Sequence, residues 1–168
     1  AKIYAEILGG HINSGGQRNK GSMTAPNSSG VKRCIKNAIF DSGVRPDEID
    51  VINGHLTATS MDPTEIFNWK EALELDKANF PFINSLKSLT GHCLSAAGSI
   101  ESVASVLQIS ENFIFGNKNS EDLHPEIEKN IPRENVPQKA HFREVNKVAK
   151  ASFGFGDVNA VVIFGKFS

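Results

Sequence analysis

Three stretches of this sequence gather side chains able to donate, accept or hold protons. "NGHLTAT" (53–59) sets His55 near Asn53, with Thr57 and Thr59 on alternate residues, which face the same way in an extended segment. These types suit a hydrogen-bonding groove for a long polar ligand. "LKSLTGH" (86–92) carries Lys87 and His92, and Glu101 follows on the next helical pattern. A lysine and a glutamate close together in an apolar setting would pair, because an unpaired buried charge is expensive, and the pair would hold the histidine loop and bias its protonation. "SFGFGDVN" (152–159) flanks Phe155 with Gly154 and Gly156, which lets the phenylalanine swing or present its N–H to a ligand. Each stretch also has a plain structural reading: a polar strand end capping the next helix, a buried ion pair, and a tight hairpin turn.

The elements that must position these residues alternate strand with helix. "KIYAEILGGHI" (2–12) has strand length and β-branched and aromatic content. In "NSSGVKRCIKNAIFDSGV", Val31, Cys34, Ile35, Ala38 and Ile39 fall at helical spacing and Gly43 ends the helix, so Cys34 is expected in the core. "IDVINGH" is a short strand ending at His55, and "DPTEIFNWKEAL" opens a helix with Asp62 as N-cap, Pro63 at the first position and Glu65 three residues after the cap. A second unit repeats the order: "FPFINS" as strand, "LKSLTGH" as loop, and "CLSAAGSIESVASVLQIS" as a helix apolar on most faces, hence expected to be buried. Residues 112–147 have little periodicity and predict a long surface excursion. "KVAKAS" and "AVVIFGKF" then form a hairpin around the glycine-rich turn. The class is α/β with a mixed β-sheet and packed helices, and both histidines stand outside strand ends, where such sheets bind ligands.

Composition narrows the partners. A chain of 168 residues with 39% hydrophobic and 22% charged residues is an ordinary globular domain. No apolar run approaches a membrane span, and the start lacks the pattern of a signal peptide, so a soluble, cytoplasmic protein is expected. A formal charge of -1 leaves no basic surplus for nucleic acid. Two cysteines, Cys34 and Cys93, make no disulfide framework and fit a reducing compartment. His11, His124 and His141 lack the close spacing of a zinc site, so no metal is expected.

Taken together in order and spacing, "NGHLTAT", "LKSLTGH" with "AAGSIE", and "SFGFGDVN" resemble the β-ketoacyl-acyl carrier protein synthases, elongating condensing enzymes of the thiolase superfamily. The resemblance runs from "TAPNSSG" and "DSGVRPDEIDVINGH" to the closing strand. It implies a thiolase-like half: residues 1–168 as a single domain, the C-terminal half of such a synthase, with the N-terminal half absent. It implies an acyltransferase that joins malonyl-acyl carrier protein to an acyl thioester by decarboxylative Claisen condensation, in fatty-acid or polyketide biosynthesis. His55 and His92 match the family's catalytic histidines, Lys87 its active-site lysine and Glu101 the acidic residue near that lysine. Thr57 and Thr59 match threonines on the phosphopantetheine arm. Phe155, between Gly154 and Gly156, matches the gate and oxyanion-hole residue, and Phe153 lines the same pocket. The nucleophilic cysteine belongs to the other half, so neither Cys93 nor Cys34 is expected to serve and the isolated chain is expected to be inactive. No cofactor is implied. The substrate rides on the phosphopantetheine of acyl carrier protein, and the partners are that carrier, the N-terminal half and a second copy in a homodimer.

Departures from the family pattern qualify these implications. Gly54, Leu56 and Ala58 stand within "NGHLTAT", and Leu56 adds bulk where glycine is usual, with a narrower pantetheine channel or a fit to a different acyl group as the expected consequence. Asp157 replaces the last glycine of the gate and is expected to bring a charge beside Phe155. The alternative is a non-catalytic chain-length-type partner or carrier-binding scaffold, against which both histidines argue.

Overall fold

In a computed structural model, which describes residues 1–167, the chain folds around one five-stranded sheet. Its strands are β1 (Glu6–Ser14), β2 (Val51–Asn53), β3 (Phe82–Asn84), β6 (Lys147–Gly154) and β7 (Val158–Gly165), in the order β1-β7-β6-β2-β3. A two-residue pair, β4 (Phe113–Ile114) and β5 (His141–Phe142), stands apart. The helices are α1 (Ser28–Ser42), α2 (Asp62–Leu73), α3 (Lys87–Thr90), α4 (Ala97–Glu111) and α5 (Pro125–Asn130). The sheet is mixed as expected: β1, β7 and β6 run antiparallel, while β2 runs parallel to both β6 and β3.

Alternation along the strands sorts the core into two faces. Ile52, Ala149, Ala151, Phe153, Val161 and Ile163 join Cys34, Ile35, Ile66 and Trp69 of α1 and α2 in one cluster, and Val51 and Val148 join Ile109 of α4 in the other. The register sets Asn53 opposite both Lys150 and Asn84, so three polar residues meet across the carboxyl end of the parallel strands. The α1 helix forms as its sequence predicts: Asn27 caps it by accepting the Gly30 N–H, and Gly43 closes it with φ +67°.

Several expectations are corrected. The α4 helix is not buried all round. Its buried side holds Ala97, Glu101, Ser105, Gln108 and Ile109, whereas Ile100, Val103 and Leu107 lie on the open side, Val103 at 61% exposure. Polar residues turn inward because partners wait there: Asn53 Nδ2 donates to Glu101 O and Ser105 Oγ at 3.0 Å each, and Asn84 Nδ2 donates to Gln108 Oε1 at 2.8 Å. "LKSLTGH" is not all loop, since Lys87–Thr90 form a helical turn. Asp62 does not cap α2. Met61 holds that position, and the Asp62 carboxylate faces back to the preceding loop. The excursion after α4 contributes Ile114, Phe115, Ile127, Ile131 and Val145 to the interior. Among the described residues, no helix is long and apolar enough to cross a membrane.

Candidate active site

The loop after β2 is built by the first turn of α2. Glu65 accepts the His55 N–H at 2.8 Å and the Leu56 N–H at 2.9 Å, and Asp62 accepts from Thr57 and Ala58 at 3.1 Å each and from Thr59 at 3.4 Å. These bonds fix the backbone that carries His55. The segment turns rather than extends, with Ala58 at φ 57°, and the turn brings Thr57 and Thr59 hydroxyls within 3.2 Å of each other. Burial pushes the Glu65 carboxyl up to about 7 against the pull of its two N–H donors. The Ser85 hydroxyl, donating to Leu56 O at 2.9 Å, ties this loop to the one that bears His92.

The two histidine rings meet edge to face, centroids 5.5 Å apart, and Phe153 closes on His55 at 6.3 Å. His92 Nδ1 accepts the Leu94 N–H at 3.1 Å, so a neutral His92 carries its proton on Nε2 and can donate it outward. His55 is half-buried and held well below the usual imidazole range, at about 4, by burial first and then by the positive charges of Lys87 and Lys150 and by His92, with Glu101 opposing. His55 is therefore held as a neutral N–H donor, and the hydrogen bond at His92 Nδ1 leaves its Nε2 as the donor of that ring.

Beneath them lies a buried charged group. Lys87 Nζ is 2.5 Å from Glu101 Oε1 and Lys150 Nζ is 2.7 Å from Glu101 Oε2, all three side chains being 6% exposed or less. The Lys87–Glu101 pair agrees with the sequence expectation. Lys150 was not singled out by sequence, although a lysine between alanines in a strand of small and apolar residues was a signal that its side chain enters the interior.

The histidines, Thr57, Thr59, Phe153, Gly154 and Phe155 line one cleft of about 870 Å³, together with Gly98 and Ser152. Lys87 lines a second cleft of about 570 Å³, which shares Thr57, Thr59 and His92 with the first. Phe155 is 68% exposed at the hairpin tip, and Gly156 sits in the turn at φ +79°, its N–H donating to Met23 O at 2.9 Å. One sequence expectation fails here. Asp157 puts no charge beside Phe155: it is fully buried, facing the 15–27 loop, where it accepts the Asn27 N–H and the Gln17 N–H at 3.0 Å each and the Asn27 amide at 2.8 Å. Leu56 packs against the core and lines the second cleft rather than the one between the histidines.

The cysteines are placed as expected. Cys34 is fully buried and burial pushes its thiol up to about 11. Cys93 Sγ faces the Thr90 and Gly91 carbonyls at 3.9 and 3.8 Å. His11 and His141 line neither cleft, His11 meeting Asn37 and Asp41 and His141 stacking on Phe82, whereas His124 caps α5 and lines the second cleft.

Residues 4–121 match the family model for the β-ketoacyl synthase C-terminal domain. The chain is 35% identical over 170 residues to a chloroplastic 3-oxoacyl-[acyl-carrier-protein] synthase I of Hordeum vulgare, covering 99% of this chain and 35% of that protein. It is 36% identical to a 3-oxoacyl-[acyl-carrier-protein] synthase 2 of Rhizobium meliloti, covering 100% of this chain and 38% of the relative. Among solved structures, the ishigamide ketosynthase/chain length factor superposes with a TM-score of 0.88 at 32% identity, over 100% of this chain and 39% of that one. A type II polyketide synthase ketosynthase solved with its acyl-carrier protein, AntDE:AntF, superposes at 0.85 with 29% identity, over 100% of this chain and 40% of that one. The chain thus spans two fifths or less of the length of each of these proteins.

Proposed function

The chain belongs to the β-ketoacyl synthase family, as its C-terminal domain, and from that premise we propose that it supplies the histidine half of a condensing enzyme. The reaction is decarboxylative condensation of malonyl-acyl carrier protein with an acyl thioester held on a cysteine outside this chain. The observation that carries the reading is the pair of imidazoles 5.5 Å apart, one kept neutral by its surroundings and the other with Nε2–H free to donate.

In the first step the malonyl carboxylate breaks its bond to the α-carbon and leaves as carbon dioxide, and the electron pair moves onto the thioester oxygen. His55 and His92 each offer an N–H to that oxygen, where negative charge develops. In the second step the α-carbon attacks the acyl thioester carbon and the cysteine thiolate departs. The Phe155 N–H, at the exposed hairpin tip, stands ready to meet the second oxyanion. Thr57 and Thr59 hydrogen-bond the phosphopantetheine arm, Lys87 and Glu101 hold the histidine loop, and Phe153 packs against His55. No cofactor enters the reaction.

The partners on this reading are acyl carrier protein, the remainder of the synthase and a second copy of it. The open side of α4, with Ile100, Val103 and Leu107, suits packing against that remainder. Two free cysteines suit a reducing cytoplasm. Both histidines favour a catalytic subunit over a non-catalytic chain-length partner.

The test uses the full-length protein containing this chain, an acyl-carrier protein donor and malonyl-acyl carrier protein. The expected product is a β-ketoacyl thioester two carbons longer than the donor acyl group, and His55→Ala or His92→Ala is expected to slow carbon dioxide release by about 100-fold or more. Full decarboxylation by both variants would refute the role given to the histidines.

A further inference from the structure

The buried charged group sets two ammonium groups against one carboxylate. Lys87 already balances Glu101, and its helical turn is joined to the rest of the histidine loop. Lys150 arrives from a different element, β6, in the position facing Asn53 of β2, and places its ammonium on the other Glu101 oxygen. It also donates to the Ser152 hydroxyl at 3.0 Å and to the Ala151 carbonyl. With a side chain 3% exposed, it is desolvated, and an apolar or amide side chain would fill the same space without burying a second ammonium. Two lysines on one carboxylate leave a surplus positive charge under His55.

We propose that Lys150 is a positioning residue of the histidine site: joined to Lys87 through Glu101 and to Ser152 of the cleft wall, it adds a second buried ammonium that keeps the His55 ring an uncharged N–H donor. The meaning of this for catalysis rests on the condensing-enzyme reading; the electrostatic claim stands by itself. The groups facing His55 all enter the balance. Lys87 from α3, Lys150 from β6 and His92 from its loop disfavour a second proton on the ring, and Glu101 from α4 favours one. Glu65 of α2, which accepts the His55 N–H, is itself pushed toward its neutral form by burial and so offers little compensating charge. Burial lowers the Lys150 ammonium from its ordinary value, and the Glu101 carboxylate opposes that fall.

The test follows the ring-proton NMR signal of His55 with pH in the protein itself, in Lys150→Met and in Lys150→Arg, with the signal assigned by His55→Gln. Removal of a nearby cation raises an imidazole pKa, so Lys150→Met is expected to move the His55 titration upward by about half a unit to one unit, and Lys150→Arg to leave it in place. Thermal unfolding separates this from a structural role. Removal of a surplus buried ammonium is expected to leave the unfolding temperature of Lys150→Met unchanged or higher, whereas a structural lysine would lower it and leave His55 where it was. Should Lys150→Met not fold, Lys150→Gln, which keeps a donor for Ser152, gives the same reading of the charge. An unmoved His55 titration in a folded, uncharged variant overturns the proposal, as does an equal shift in Lys150→Arg. Either result leaves the condensation assay untouched, so failure here and failure of the proposed reaction are told apart.

Discussion

Glu65 and His55 share a hydrogen bond, and burial drives them to their neutral forms from opposite directions. Between its ordinary value of 4.5 and about 7, Glu65 binds a proton in the folded chain that the unfolded chain releases, so its contribution to stability falls as pH rises through that window. His55 does the reverse. Between about 4 and its ordinary 6.5 the unfolded chain takes up a proton that the folded chain refuses, so stability falls as pH falls. Each effect is on the order of 3 kcal/mol over its window, and in the native chain the two offset. Glu65→Gln removes only the first. Urea unfolding from about pH 5 to about pH 7.5 is expected to show its stability gaining on the native chain by a few kcal/mol; parallel curves would mean that Glu65 is ionised throughout. Asp157 gives a second residue-scale prediction. Asp157→Ala strands the Asn27 and Gln17 N–H groups and the Asn27 amide, and is expected to cost about 3 kcal/mol, against about 1 for Asp157→Asn, which keeps an acceptor and tolerates a φ of 63°. The pairing of Lys87 with Glu101 was legible in the sequence, and the histidines were marked there by the resemblance of their motifs. The duties of Asp62, Asp157 and Lys150 were not, because each acts on an element distant along the chain or turns away from its own helix.

The α4 helix shows how far pattern reading carries an element. Its apolar content marked it as a buried helix, yet three of the five residues that enter the interior are polar, Glu101, Ser105 and Gln108, drawn in by Asn53, Asn84 and the two lysines. Hydrophobic periodicity ranks side chains by their preference for water, and it carries no information about which polar partners wait across a sheet. The strands fared better: β6 and β7 and their glycine turn lie within the stretches that the sequence marks, since alternation and turn residues are local signals. Substitutions on the two sides of α4 should therefore behave opposite to ordinary expectation. Val103→Glu, on the open side, is expected to change the unfolding free energy of this chain by about 0.5 kcal/mol or less. Ser105→Leu is expected to cost several times more, because it removes an acceptor from Asn53 and overfills a fully buried position. Equal effects on a denaturation midpoint would show that the helix face is assigned wrongly.

At the scale of the whole molecule, the open question is where the electrophile is held. The cleft has two imidazoles, a hydroxyl pair and an exposed aromatic tip, groups that receive charge or position a chain, and no cysteine is among the residues that line it. Cys93 is the one thiol near it, yet its sulfur faces backbone carbonyls, and neighbouring His92 spends Nδ1 on the Leu94 N–H. The division of labour proposed above therefore makes a sharp demand on mass spectrometry. In the full-length protein exposed to an acyl-carrier protein donor, the acyl group is expected on a cysteine outside these residues, and Cys93→Ser is expected to leave both acylation and product formation within about twofold of the native rate. The 168-residue chain alone is expected to take up no acyl group and release no β-ketoacyl product. An adduct on Cys93, lost in Cys93→Ser together with turnover, would move the nucleophile into this chain and make the pair of histidines part of a different mechanism.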